Sequence, residues 1–551
     1  MLFRMAIEIA ADKVLRGGAI YTGGVKEPMA SSVAVAQGRI VYVGSSAGAA
    51  DWIGSRTEVI ELNGRMVLPG FHDSHIHPLI GGVNLIECDL AELDSLPAYL
   101  ERIQAYASAH PAKSFIRGHG WVHGHFPPSG PSKKDLDDAV PDRSALIKSM
   151  DGHSAWVNSK ALAAAHITRE TPDPPGGRIE RDPLSGEPSG TLREWTAMDL
   201  VKDVFPPPTE EELAQGLRAF MAQASRRGIT AVHDAMVSDR FLRVYERMDA
   251  DGELNLRVAA SLLCEPNEES TDRLMGLRQR CRGKHLRAGA AKLFLDGVME
   301  SHTAWLLEPY ADRPDFRGEL VWKEEAFRRQ VMGLDRAGFQ LHIHAIGDGA
   351  IRLALDSLEE AIRIHGLRDA RHLLAHLDLI SPADIPRLGP LGLVANVQPA
   401  WFYIDNGFFD TALPYLGKKR ALGMYPVKSL LKAGSAMVCG SDWPFGGDSV
   451  TFNPLEAISV GRTRCGVGTS FHNPLAPEEG LELLELLNAY TRQGAWASFC
   501  ERETGSIENG KSADLVMLDG NLFNLPAEQW PETRVLLTLF EGREVYRDTS
   551  L

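Results

Sequence analysis

Residues 66–78 read Met66-Val67-Leu68-Pro69-Gly70-Phe71-His72-Asp73-Ser74-His75-Ile76-His77-Pro78. An apolar run reaches a tight Pro-Gly pair and then sets two histidines one residue apart. Side chains alternate faces along a strand, so His75 and His77 point the same way and Asp73 shares their parity. Two neutral imidazoles at a strand end can hold one divalent ion, and zinc and its neighbours suit them. The same spacing also describes two polar residues at the exposed end of a strand, so the flanking chain has to decide.

Working outward, residues 12–67 read as short strands broken by glycine turns: KVLRGGAIYT, SSVAVAQGRIVYVGS and TEVIELNGRMVL. The far end has the same texture, in GSIENGKSADLVMLDG and RVLLTLFEGREVY. The economical expectation is a small composite β-sandwich built from residues 1–67 and 500–551, with 68–499 inserted between its halves. That middle alternates apolar strands with amphipathic helices, as a parallel α/β fold requires. Strands are predicted at 229–234, 256–263, 290–296, 340–344, 371–376, 393–398 and 436–442, and helices at 210–227, 324–337, 350–365 and 482–497. With the strand ending at His77 the count is eight, the number a closed (β/α)8 TIM barrel needs. Residues from about 78 to 227, rich in Gly, Pro and Trp, are too long for a βα loop and are expected to form an insertion covering the barrel mouth.

Composition narrows the function. The 551 residues are 44% hydrophobic and 24% charged, with a net charge of -15. That balance argues against a nucleic-acid or anionic-membrane partner. No apolar run approaches the roughly 20 residues that span a bilayer, and the start, MLFRMAIEIAADKVL, is too short and acidic for a secretory signal. The six cysteines are scattered without a Cys-x-x-Cys, which argues against a thiolate zinc site and suggests no disulfide framework. A cytoplasmic protein is expected, and a homodimer as the commonest soluble oligomer.

Catalytic groups in such barrels sit at the C-terminal strand ends. The first predicted strand ends in His75 and His77. A middle one, Ala-Ala-Lys292-Leu-Phe-Leu-Asp296, carries a lysine inside an apolar run. Later ones give His342 and His344, then His372 and His376, and finally Asp442. A lysine in an apolar strand is costly unless neutralised or paired. Either its free amine takes up CO2 as a carbamate able to bridge two metal ions, or it forms a salt bridge with Asp296 on the same strand face. Parity alone leaves His342 equal to His344, and His372 equal to His376.

Taken together, LPGFHDSHIHP, RGHGW, DGHSAWVN, GTLRE, KLFLDG, HAIGD, RHLLAH, NVQPAW, GSDWP and GKSADLVMLD resemble the amidohydrolase superfamily. The likeness is to its YtcJ-like branch, which includes N-substituted formamide deformylases. The resemblance implies a binuclear site with His75, His77 and Asp442 on one divalent metal and His344 and His376 on the other. A carboxylated Lys292 would lie between them. Zinc is the expected metal, and manganese, cobalt or iron fit the same donors. His342 and His372 then become core or supporting residues, and His72 a structural one. His119 and His125 take no role in this reading.

The implied chemistry is cleavage of a linear amide or formamide C–N bond by hydroxide that the metals generate, with Asp442 carrying the proton to the departing amine. His153 is the candidate for polarising the substrate carbonyl, against a buried hydrogen-bonded histidine. Trp121, His123, Trp401, Tyr403 and Trp443 are candidates for an aromatic pocket, against ordinary core packing. Other readings are a cyclic-amide, carbamate or ester hydrolase or a deaminase on the same scaffold, and a non-catalytic metal-binding protein.

Overall fold

The computed structural model describes residues 10–24, 28–91, 93–150, 152–175, 177–266, 270–446, 451–469 and 473–551. Residues 1–9 at the acidic start and Asp151 of the DGHSAWVN motif lie outside them. The chain divides into two compact units, one of Met1–His77 with Met221–Leu551 and one of Pro78–Phe220.

The first unit contains eight parallel strands: β1 (Phe71–Ile76), β2 (Ile229–Val237), β3 (Arg257–Leu263), β4 (Leu286–Phe294), β5 (Gln340–Ala345), β6 (Leu373–His376), β7 (Val394–Val397) and β8 (Ala436–Cys439). Each pairs in parallel with the next. Burial is unbroken along β1, β5, β6 and β7, as it must be for strands covered on both faces. The helix Asp348–His365 shows how the covering layer is written in the sequence. Its buried stripe includes Ala350, Ile351, Ala354, Leu358 and Ala361, and it stops at Gly366, whose φ of 86° suits glycine.

The ring closes between β8 and β1. Asp442 N donates to His75 O at 2.7 Å, and His77 N donates to Trp443 O at 2.9 Å. Asp73 reinforces this seam, its Oδ1 accepting from Ser441 N at 3.0 Å. The approach depends on Gly440, where an added Cβ would lie 2.4 Å from His75 N and 2.7 Å from His75 Cβ. Gly440→Ala is therefore expected to destabilise the protein by about 1–3 kcal/mol or more, because backbone must move. A denaturation midpoint unchanged from wild type would contradict that reading of the seam.

The opening stretch serves two sheets. Met66–Pro69 pairs antiparallel with Leu515–Leu518, and the chain then passes Gly70 into β1. Strands from both termini thus form one eight-stranded sheet, in the order Arg543–Arg547, Val535–Phe540, Leu515–Leu518, Met66–Pro69, Lys13–Tyr21, Met29–Ala36, Arg39–Gly44, with Glu58–Glu61 beside Lys13–Tyr21. Its inner face shares a single apolar core that includes Leu15, Val33, Val67, Met517 and Leu537.

Two predicted elements differ most from the structure, the other strand ends moving by three residues or fewer. β4 begins at Leu286 rather than 290, because its first half alternates buried and exposed residues and Arg287 interrupts the apolar run. The helix predicted over 482–497 is two, Leu483–Ala489 and Arg492–Ala497. Thr491 breaks it, with φ −129° and ψ −90°. Its hydroxyl donates back to Leu487 O at 2.6 Å.

The Pro78–Phe220 unit has its own six-stranded sheet, running Arg178–Arg181, Pro188–Arg193, Ser154–Val157, Ser144–Ser149, Phe115–Trp121, Cys88–Asp89. Its cores are built on Tyr99, Trp121 and Trp156 on one side and Leu162, Ile179 and Leu192 on the other. Among the described residues, no helix is long and apolar enough to cross a membrane.

Candidate metal centre

At the C-terminal ends of the barrel strands, ligand atoms of His75, His77 and Asp442 all lie within 4.8 Å of one another, and all three residues are buried. Asp442 Oδ1 is 2.9 Å from His77 Nε2 and 3.3 Å from His75 Nε2. Asp442 has φ 57°, a left-handed conformation that Asp tolerates better than most residues. The turn after β8 thereby brings its carboxylate beside the imidazoles of His75, in β1, and His77, just after it.

The remaining candidates converge on the same place. The ring centroid of His376 is 4.9 Å from that of His75 and 4.6 Å from that of His344. Lys292 pairs in register with His342, and Phe294 with His344, so the long lysine side chain starts one layer below. Its Nζ has no hydrogen-bond partner among the described residues and sits 4.5 Å from the Phe294 ring centre. Burial, opposed by Asp442 and Asp234, brings its ammonium down to about 8. The salt bridge to Asp296 that the sequence also allowed is not formed. Asp296 instead accepts from Ile346 N, Gly347 N and Trp305 N at 3.1, 2.9 and 3.0 Å.

Three of the four histidines have a polar neighbour behind the ring. His376 Nδ1 is 2.9 Å from Gln398 Oε1. His344 Nδ1 is 3.2 Å from Asp296 Oδ1, off the line of a hydrogen bond. His75 Nδ1 meets His342 Nε2 at 3.0 Å, so His342 supports a ligand rather than being one. Such partners fix ring orientation and tautomer, and losing one typically costs 10–100-fold in metal affinity. Gln398→Ala is accordingly expected to weaken zinc binding by about that factor with little change in melting temperature. Chelator competition and a thermal scan check both halves of the expectation.

The residues present suit a divalent metal. Burial, with the Lys292 charge next for His75 and His344 then Lys292 for His376, holds both imidazoles well below their ordinary range and keeps them neutral. Neutral imidazoles and a carboxylate, gathered round a buried amine with no hydrogen-bond partner among the described residues (Lys292 Nζ), form a donor set of the kind zinc accepts.

Three neighbours carried no sequence signal for this role. Asp234, at the end of β2, receives a hydrogen bond from Tyr245 OH at 2.8 Å and lies 4.0 Å from His77 Nδ1. Burial, opposed chiefly by His77, holds its carboxyl up to about 6. Phe445 places its ring edge-on to His77 at 5.2 Å, and Asp296 sits behind His344.

Of the aromatic candidates in the barrel unit, Trp401 stacks on His376 at 5.6 Å with planes 8° apart. Trp443 is buried against Phe452, and Tyr403 is buried. In the Pro78–Phe220 unit, Trp121 is fully buried in the core and its Nε1 donates to Ile147 O at 2.9 Å, with the His123 ring beside it. His153 is not a buried histidine. It is half-exposed, with Nδ1 3.0 Å from Glu194 Oε2. His119 Nε2 meets Asn84 O, and His125 Nδ1 meets Tyr99 OH. In the barrel unit His372 Nδ1 accepts from Leu341 N and faces Asp335, a structural position, while His72 is buried.

The amidohydrolase family model matches residues 58–546 of this chain. The chain is 31% identical to Protein LONG AFTER FAR-RED 3 of Arabidopsis thaliana, over 98% of this chain and 92% of that protein. It is also 31% identical to the putative amidohydrolase YtcJ of Bacillus subtilis, over 97% and 99%. To the N-substituted formamide deformylase of Arthrobacter pascens it is 28% identical, over 98% and 99%. Among solved structures it resembles an uncharacterized metal-dependent hydrolase from Pyrococcus furiosus, with a TM-score of 0.74 and 26% identity over 92% and 99%.

Proposed function

The chain belongs to the amidohydrolase family, a metal-dependent hydrolase acting on carbon–nitrogen bonds, and on that premise we propose that it hydrolyses linear N-substituted amides or formamides. The observation that carries the reading is the partnerless Lys292 amine beneath four inward-facing histidines and Asp442. A neutral amine there can be carboxylated, and the resulting anion is what two cations need between them. In this reading His75, His77 and Asp442 would hold one zinc ion, and His344, His376 and a carboxylated Lys292 would supply donors for a second. Bound divalent metal supplies ionised water near neutral pH and polarises a carbonyl.

The chain's own groups do the rest. Asp442 Oδ1, within 3.3 Å of both His75 and His77, accepts a proton and returns it to the amine as the C–N bond breaks. A carboxylate suits that duty because it takes up and releases a proton without leaving its hydrogen-bonded turn. Gln398 keeps His376 aimed inward, and the Asp296 carboxylate sits behind His344. Trp401 and Phe445 flank the histidines with apolar surface, which limits water beside the reacting atoms. Similarity to a formamide deformylase along nearly the whole chain supports the acyl class.

A panel of N-alkyl and N-aryl formamides, larger amides, cyclic amides, carbamates and aminopurines, run with and without chelator, tests the proposal. Release of amine from the linear members, lost with chelator and restored by zinc, is the expected result. Turnover confined to ring-opening or to ammonia release from aminopurines would overturn the linear-amide reading.

A further inference from the structure

Beneath the candidate metal centre runs a buried line of four polar side chains. His75 Nδ1 is 3.0 Å from His342 Nε2, His342 Nδ1 is 2.9 Å from Ser261 Oγ, and Ser261 Oγ is 2.9 Å from His233 Nε2. The line steps from β1 to β5, β3 and β2, one barrel layer below the ligands. All four residues are at most 1% exposed. His233 Nδ1 has no hydrogen-bond partner among the described residues, and His233 borders a cavity of about 320 Å³ whose walls include Ala259, Ala290 and Gln340. That volume is roomy enough for water. The line contains three imidazoles, one hydroxyl and no carboxylate, and rings buried this completely are held neutral, so each carries a single N–H.

One hydrogen per ring and one on the serine leave two ways to make all three hydrogen bonds. In the first, His233 Nε2–H donates to Ser261, whose hydroxyl donates to His342 Nδ1, and His342 Nε2–H donates to His75 Nδ1. The proton of His75 then sits on Nε2, facing Asp442 Oδ1 at 3.3 Å. In the second, every bond is reversed. His75 Nδ1–H donates to His342, His342 Nδ1–H donates to Ser261, and the serine hydroxyl donates to His233 Nε2. Only this arrangement leaves the His75 Nε2 lone pair free for a metal. The two contain the same number of protons and differ only in where they sit.

We propose that His342, Ser261 and His233 are positioning residues that set the tautomer of His75, so that metal loading at His75 reverses the whole line and moves the His233 proton from Nε2 to Nδ1. The inference rests on the metal-centre reading above. It adds a coupling between that centre and a residue four groups away at the cavity wall. In the loaded polarity the His233 Nδ1–H lies at the far end of the line, where no acceptor among the described residues meets it. Without the serine, His342 loses the partner that selects its tautomer, and either arrangement at His75 becomes available.

The test uses the full-length protein with 15N-labelled histidine, titrated with zinc alone, with His233→Gln serving to assign the His233 signals. The expected result is zinc binding together with a switch of the His233 ring from the Nε2–H to the Nδ1–H pattern. Zinc binding with His233 unchanged would overturn the coupling while leaving the metal centre intact. No zinc binding would overturn both. In parallel, Ser261→Ala is expected to lose about 10- to 100-fold in zinc affinity and to abolish the His233 response. A variant that retained both would contradict the proposal, and if it failed to fold the wild-type titration still decides.

Discussion

Asp442→Asn is expected to lower turnover by about 10²- to 10⁴-fold in a protein that still folds. Asparagine keeps the shape of the side chain, and the backbone bonds that fix the turn, Asp442 N to His75 O and His77 N to Trp443 O, do not involve it. What is lost is the negative charge 2.9 Å from His77 Nε2 and the ability to accept a proton. Part of the loss is weaker metal binding, so turnover has to be compared at saturating zinc with metal content measured on the same sample. Near-normal turnover at full metal loading would remove Asp442 from the proton-transfer role.

Lys292→Met separates metal binding from folding. Methionine fills the same volume without an ionisable group. The Lys292 ammonium is lowered from 10.5 to about 8. Burial therefore disfavours the charged form, at a cost on the order of 3 kcal/mol at neutral pH. The sign follows directly. Between pH 8 and 10.5 the unfolded chain holds a proton the fold has released, so metal-free stability from this group rises across that window and the penalty is full below it. The methionine variant is expected to be more stable than wild type without metal at pH 7, by an amount that shrinks toward pH 10.5. It is also expected to lose much of the thermal stabilisation that zinc confers, and turnover with it, since only His75, His77 and Asp442 would still hold an ion. A variant less stable than wild type without metal, yet stabilised by zinc as strongly as wild type, would show that the lysine is structural.

Much of the barrel is legible in the sequence because parallel strands buried on both faces leave uninterrupted apolar runs, as β5, β6 and β7 do. β4 is the exception at its start, where half-buried alternation and Arg287 hide the strand. The break at Thr491 is equally silent, since a threonine inside a helical pattern reads as tolerable. For the site, parity puts His342 and His344 on one face but says nothing about depth. Two residues along a strand is one barrel layer, and that step separates a residue under His75 from a residue beside His376. Asp234, Asp296, Gln398 and Phe445 act through neighbours far away in sequence, which no local pattern reports. Trp121 shows the converse, an aromatic beside two histidines in sequence whose ring belongs to a core.

The most direct measurement is anomalous diffraction at the zinc edge from crystals grown with zinc and bicarbonate. The account predicts two peaks, one about 2.0–2.2 Å from His75, His77 and Asp442 and the other at that distance from His344 and His376. Density for a carboxylated Lys292 should join them. No peak among these residues, or an unmodified Lys292 beside a fully active enzyme, would contradict it.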